Sequence, residues 1–304
     1  MTTITVATTP ELLAENETVQ ESIDLKNELA EALLHCNQNK VLELMRAEKE
    51  FVNVVLESGK TPFETALESG YTKLAQAILN IESFNVNDHD HNPLRCAITL
   101  GFNKIAVELL EAGANANHRQ ADDPSILQLA LDKGALDVAT KALEKGAEID
   151  VRNAKGWTAL MLAAYTGKSK TVDFLLEHGA DVNICNNDGW NAVVGAYAAG
   201  YADIATKLIE AGAVFPDEFA QAALMTAYRQ GNFAIAESLL KQGVNPNFED
   251  KNHESIIVQA VLKGDLDFVK TLLEHGANPN TKSKRGCPII LTLAENGQNE
   301  IVDL

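Results

Sequence analysis

The chain has 304 residues, of which 46% are hydrophobic, and a formal net charge of −18. The apolar content excludes a disordered chain, and the excess of acidic residues argues against nucleic-acid binding while suiting a partner protein with a basic surface. No apolar run approaches the ~18 residues that a membrane span needs, and the N-terminus has neither the basic start nor the apolar core of a signal peptide.

The first segment, residues 1–25, carries five acidic residues and no basic one. We expect it to be mobile, or at most to form a short helix after Pro10. The stretch that follows, residues 27–49, has the pattern of two short helices with Asn37 between them in the place of a glycine. This pattern predicts an N-terminal capping unit over residues 26–55.

Repeated segments fill the rest of the chain. "LLEAGANAN", "LLEHGADVN", "LLKQGVNPN" and "LLEHGANPN" recur, and a second glycine marks the middle of each repeat. The intervals between these central glycines are 31, 33, 33, 33, 31, 33 and 33 residues, a spacing that chance does not produce. The central glycines are Gly70, Gly101, Gly134, Gly167, Gly200, Gly231, Gly264 and Gly297.

Each repeat predicts two short helices. In one of them, an apolar helix covers Thr158 to Tyr165 and a second covers Ser169 to Glu177, after which Gly179 suits a left-handed helix stop. A polar connection leads to the next repeat. Helices this short cannot bury their apolar faces alone, so the repeats must stack as a solenoid.

The pattern resembles the ankyrin repeat, whose Thr-Pro-Leu-His start is similar to Thr61-Pro62-Phe63-Glu64 and to Thr158-Ala159-Leu160-Met161. The resemblance implies an all-α solenoid of helix-turn-helix units with short loop or β-turn fingers, continuous over residues 26–304. Eight repeats would begin near residues 56, 87, 120, 153, 186, 217, 250 and 283, the last of them incomplete.

The two intervals of 31 residues predict shortened connections. One lies between Gly70 and Gly101, where the usual Asp-Gly turn is missing. The other lies between Gly200 and Gly231, where Pro216 and the acidic pair after it indicate a helix that starts two residues early.

The sequence stops within the second helix of the eighth repeat, where natural solenoids place a polar cap. We therefore expect a fragment of a longer protein. A monomer is expected, but the uncapped end at Ile301 and Leu304 leaves self-association open.

The sequence has no phosphate loop, metalloprotease motif or kinase signature, which predicts no enzymatic activity and no cofactor. Asp88-His89-Asp90-His91 and His118 could ligate a metal, but their place in a loop favours a solvated turn, so no metal site is expected. The four cysteines lie far apart, which favours free thiols and a cytoplasmic location.

Asparagines that recur in the connections favour a local structural role, because their side chains bond nearby backbone groups. In the ankyrin family some asparagines at this place are hydroxylated, within a pattern of Leu eight residues before and Asp two before. Leu175, Asp181 and Asn183 match that pattern, so the resemblance makes Asn183 a candidate hydroxylation site.

Function is therefore expected on a surface, and the resemblance places it on the concave side of the fourth to sixth repeats. The predicted partner-binding residues are Trp157, Tyr165, Trp190, Phe219 and Arg229, types that dominate binding energy. Two interpretations of the tryptophans stay open: a binding hot spot, or aromatic covers for the turns. The predicted function is protein–protein recognition as a module or scaffold. The alternatives are a recruitment arm of an enzyme or channel encoded beyond residue 304, and a bacterial effector acting in the host cytosol.

Overall fold

The computed structural model describes residues 23–119, 123–250, 254–283, 286–295 and 297. Every regular element in these ranges is helical, and β-pairing is limited to isolated bridges such as Glu249 with Ser255. The all-α prediction is therefore confirmed. The chain divides into two compact units, Met1–Glu148 and Ile149–Leu304, which we call unit 1 and unit 2. Within the described ranges, no helix combines the length and apolarity that crossing a bilayer requires.

Unit 1 consists of helix pairs and one short 3₁₀ turn. The first helices α3, α5 and α7 pack in sequence, and so do the second helices α2, α4, α6 and α8. The elements are α1 (helical over the described residues 23–34), α2 (Gln38–Ala47), the 3₁₀ turn Lys49–Val52, α3 (Pro62–Glu68), α4 (Thr72–Leu79), α5 (Pro93–Leu100), α6 (Asn103–Glu111), α7 (Ile126–Asp132) and α8 (Leu136–Glu144).

Unit 2 repeats the arrangement. First helices pack on first helices, α9 on α11 and α15 on α17, while the second helices α12, α14 and α16 follow one another. The elements are α9 (Ala159–Tyr165), α10 (Ser169–Glu177), α11 (Ala192–Ala198), α12 (Ala202–Glu210), α13 (Asp217–Gln230), α14 (Phe233–Lys241), α15 (Ile256–Lys263), α16 (Leu266–Glu274) and α17 (Ile289–Glu295).

Side-chain caps start the first helices. Thr61 accepts a hydrogen bond from the Glu64 backbone, and Glu64 in return accepts one from Thr61, which makes a complete capping box. Thr158 and Asn191 cap α9 and α11 in the same way through their side-chain oxygens. The helices are too short to persist alone, so burial must hold them. Each fully buried leucine in the repeats, such as Leu175, contributes about 1.5–3 kcal/mol.

The helix prediction for the repeat at residues 158–177 is confirmed. Thr158 caps α9 rather than lying in it, and α10 has the predicted bounds of Ser169 and Glu177. Gly179 has a φ of 80°, the left-handed stop that was expected after α10.

Two expectations near the N-terminus are wrong in detail. Cys36, not Asn37, takes the left-handed place between the first two helices, with a φ of 57°. Asn37 cannot do so because it is the N-cap of α2, where its side chain accepts a hydrogen bond from Lys40. Residues 23–25, placed in the mobile segment, are helical and belong to α1, while residues 1–22 lie outside the described ranges.

The two shortened connections are present. Residues 80–92 join α4 to α5, and residues 211–216 join α12 to α13, whereas residues 178–191 join α10 to α11. The second case goes further than predicted, because α13 replaces the whole finger with additional helical turns. That one continuous stack runs through both units over residues 26–304 stays a prediction, and the end of the eighth repeat lies outside the described ranges.

Candidate functional site

The two tryptophans stand at the same place in two successive fingers of unit 2. The Asn153 side chain accepts a hydrogen bond from the Trp157 backbone at 3.0 Å, and Asn153 donates its own N–H to the Trp157 carbonyl at 3.0 Å. Asn186 and Trp190 form the same pair of contacts, at 2.9 and 2.7 Å. The backbone of each tryptophan therefore closes its finger, which fixes where its ring begins.

Four rings form a continuous row, which we call the aromatic ladder: Tyr165, Trp157, Trp190 and Phe219. The ring centroids of Tyr165 and Trp157 are 5.4 Å apart, and those of Trp157 and Trp190 are 6.5 Å apart. Phe219 lies 6.1 Å from Trp190. The terminal pairs meet edge to face, the geometry that aromatic quadrupoles favour. The structure thus brings together four of the five residues predicted from the sequence.

The burial of the ladder lies between the two interpretations of the tryptophans. Tyr165 is 45% exposed, whereas Trp157, Trp190 and Phe219 are half-buried. The Trp157 ring rests near Gly195 of α11, where an added Cβ would lie 3.9 Å from Cζ3. Each tryptophan therefore covers part of its own chain and leaves part of its ring accessible.

Phe219 reaches the ladder because the sixth repeat has no finger. It lies in the first turns of α13, which occupy the space that a finger fills elsewhere. A Cβ on Gly189 would collide with the Glu218 carboxylate and lie 3.7 Å from the Phe219 ring. Glu218 and Phe219 therefore both lie against the finger that carries Trp190, a placement for Glu218 that the sequence did not signal.

Arg229 stands apart from these rings in a charge network. Its Nη2 lies 2.6 Å from an Asp250 carboxylate oxygen and 3.8 Å from Glu254, and its Nε donates to Gln259. The side chain is nevertheless 44% exposed. Its role in binding stays a prediction.

Asn183 is one of several asparagines whose side chains join neighbouring repeats. Its Nδ2 donates to the Gly212 carbonyl at 3.2 Å and its Oδ1 accepts from the Val214 N–H at 2.9 Å. The same two bonds recur from Asn117 to Gly146 and Glu148, and from Asn247 to Gly276 and Asn278. The structural role of these asparagines is confirmed, while hydroxylation of Asn183 stays a prediction.

The histidine-rich loop in unit 1 forms local contacts. The Asp88 side chain accepts hydrogen bonds from the Asp90 and His91 backbones, and the His91 ring lies 3.0 Å from Glu64. Burial, with the nearby His89 ring, lowers the pKa of His118 and favours its neutral form. Across the residues that the structure describes, no three His, Cys, Asp or Glu side chains converge closely enough to hold a metal ion.

Comparison with known proteins agrees with this architecture. A family model described as ankyrin repeats in three copies matches residues 127–218, 196–283 and 224–304, which together span more than half of the chain. The comparison with curated proteins finds no match. With its helix pairs, capped first helices and repeated fingers, the chain belongs to the ankyrin repeat family.

Proposed function

We propose that this chain is a non-catalytic interaction module that binds a partner protein on the aromatic ladder and the fingers beside it. Ankyrin repeats generally mediate protein–protein interaction. The observation that carries the proposal is the unbroken row of four partly exposed rings across successive repeats of unit 2. Isolated exposed aromatics are ordinary, but a contiguous row marks a binding surface.

The energetics of such a row suit recognition. Tryptophan and tyrosine are the side chains whose removal most often costs 2 kcal/mol or more in an interface, an order-of-magnitude value. The ring contacts within the ladder hold Trp157 and Trp190 in place before a partner arrives, so binding loses little side-chain entropy. Arg229 lies further along the same unit and would contribute less, because Asp250 already neutralises its charge.

Affinity capture from the source organism tests the proposal with a matched control. The bait proteins are the wild type, Trp190→Ala and Phe233→Ala. Phe233 is a control because it is 45% exposed in the same unit but lies on a second helix, α14, away from the fingers. We expect a partner that wild type and Phe233→Ala retain and Trp190→Ala loses. Equal retention by all three baits would show that the ladder is not the binding site.

A further inference from the structure

Two acidic side chains stand unneutralised beside the Phe219 end of the ladder. Glu218 lies over Gly189, directly before Trp190, and Asp188 directly precedes Gly189 in the same finger. Both are exposed, and neither makes a side-chain hydrogen bond or ion pair with any residue that the structure describes. By contrast, the Asp250 carboxylate further along unit 2 is paired with Arg229.

The sign of the charge changes along the ladder. Lys155 is exposed in the finger of Trp157, at the position that Asp188 takes in the finger of Trp190. One end of the row therefore has an accessible ammonium group and the other has accessible carboxylates. A partner segment would meet opposite charge preferences at the two ends, which sets its direction along the row.

Small residues leave room between the bulky side chains. In the register of the central glycines, Ala198 corresponds to Tyr165 in the repeat before and to Arg229 in the repeat after. Ala198 and its neighbour Ala199 are both exposed. Since stacked helices lie about 8–10 Å apart, a pair of alanines between two long side chains leaves space for the stem of one incoming side chain.

We propose that the Trp190–Phe219 end of the ladder binds a cationic side chain, Arg or Lys, from the partner protein. This inference rests on the proposed function and names the chemistry of the partner. Aromatic faces attract cations, an attraction that grows when the cation is partly desolvated, and the carboxylates of Glu218 and Asp188 add a second attraction to the same group. The net charge of −18 draws such a segment from a distance, more strongly at low salt.

The two tryptophans supply a direct readout, because the chain gives only two indole N–H signals in an NMR spectrum of the isotope-labelled protein. Trp190→Phe assigns them. The probes are acetylated, amidated peptides Gly-Ser-Ala-X-Ala-Ser-Gly in which X is Arg, norleucine or Glu. We expect the Arg peptide to shift the Trp190 signal most and to bind about fivefold or more tightly than the norleucine peptide, with the Glu peptide weakest.

Substitutions that remove the charge separate this inference from simple hydrophobic binding. Glu218→Gln combined with Asp188→Asn should weaken the Arg peptide about three- to tenfold and leave the norleucine peptide unchanged. Glu177→Gln, an exposed position at the end of α10, removes the same charge away from the ladder and should change neither.

Equal binding of the Arg and norleucine peptides would overturn the inference, as would unshifted indole signals with all peptides, or an Arg affinity that ignores the loss of both carboxylates. The proposed function fails by a different result. If Trp190→Ala abolishes partner capture while the peptides show no preference for charge, only the cationic inference is wrong. If Trp190→Ala leaves capture intact, the site itself is wrong.

Discussion

Asp150→Asn should make the protein more stable. Asp150 stands one repeat before Asn183, in the position of the asparagines that join neighbouring repeats. Its carboxylate accepts the Asp181 N–H at 3.2 Å, as Asn183 accepts that of Val214. A carboxylate has no N–H to donate, however, so the bond that Asn183 makes to the Gly212 carbonyl has no counterpart at Asp150.

The expected gain follows from that missing bond. One intramolecular hydrogen bond contributes about 1 kcal/mol net, and Asn at position 150 can donate to the Gly179 carbonyl, the counterpart of Gly212 in this register. For a unit of this size a gain of about 1 kcal/mol raises the melting temperature by about 2–4 °C. Asn183→Asp is the reverse change, and it should lower the free energy of unfolding by a similar amount.

The pH dependence has a definite sign. Burial raises the pKa of Asp150 above its ordinary value of 3.8, and the charge of Asp181 adds to the effect. A raised pKa means that the folded state binds the proton more tightly, so protonation stabilises the wild type as the pH falls through the folded pKa. The advantage of Asp150→Asn should therefore be complete at neutral pH and shrink as the pH falls toward 3.8.

Urea unfolding of the wild type, Asp150→Asn and Asn183→Asp at pH 7 and about pH 4 measures these differences, in which acid effects common to all three proteins cancel. The reasoning is refuted if Asp150→Asn is no more stable than the wild type at pH 7, or if Asn183→Asp has no cost.

Three further predictions concern stability and the exposure of the tryptophans. Gly195→Ala should add about 0.5–1 kcal/mol in urea unfolding, because Gly195 lies inside α11 and the new Cβ meets its nearest neighbours at 3.7–3.9 Å; Gly200→Ala should cost about 1–2 kcal/mol, because its φ is 86°, and equal effects would contradict this. Thr61→Ala should cost about 1 kcal/mol by removing the capping box of α3, and an unchanged unfolding midpoint would refute that role. Acrylamide should quench Trp157 and Trp190 to a level between free tryptophan and a buried ring, since both are half-buried, and full shielding would contradict the accessible ladder.

Short-range rules explain why the repeats could be predicted from the sequence. Gly179 requires no tertiary information, since a residue without Cβ is the usual way to end a helix in the left-handed region. Likewise Thr158 is an N-cap type placed directly before an apolar helix. The family spacing then sets the register, so Trp157 and Trp190 could be assigned to equivalent places before any coordinates were known.

Long-range packing explains what the sequence left undetermined. Pro216 with two acidic residues after it predicts a helix start, but whether the extra turns replace a finger depends on what they pack against, here Gly189. The position of Phe219 in the ladder follows from that packing. The pairing of Arg229 with Asp250 likewise joins residues from different repeats, and no local pattern encodes it. At Cys36 the prediction was wrong by one residue because Asn37 suits both a left-handed place and an N-cap, and only the bond to Lys40 decides between them.

The half-buried state of the tryptophans makes the two interpretations of them compatible. A ring that covers its own finger is held in one orientation, and a side chain that is already ordered loses little entropy when a partner covers its remaining face. A fully exposed ring would lose that entropy on binding, and a fully buried ring would have no face to offer. Trp157, packed near Gly195 and flanked by Tyr165 and Trp190, has both the support and the open face. The contacts that stabilise the fingers are therefore the same contacts that preorganise the surface for recognition.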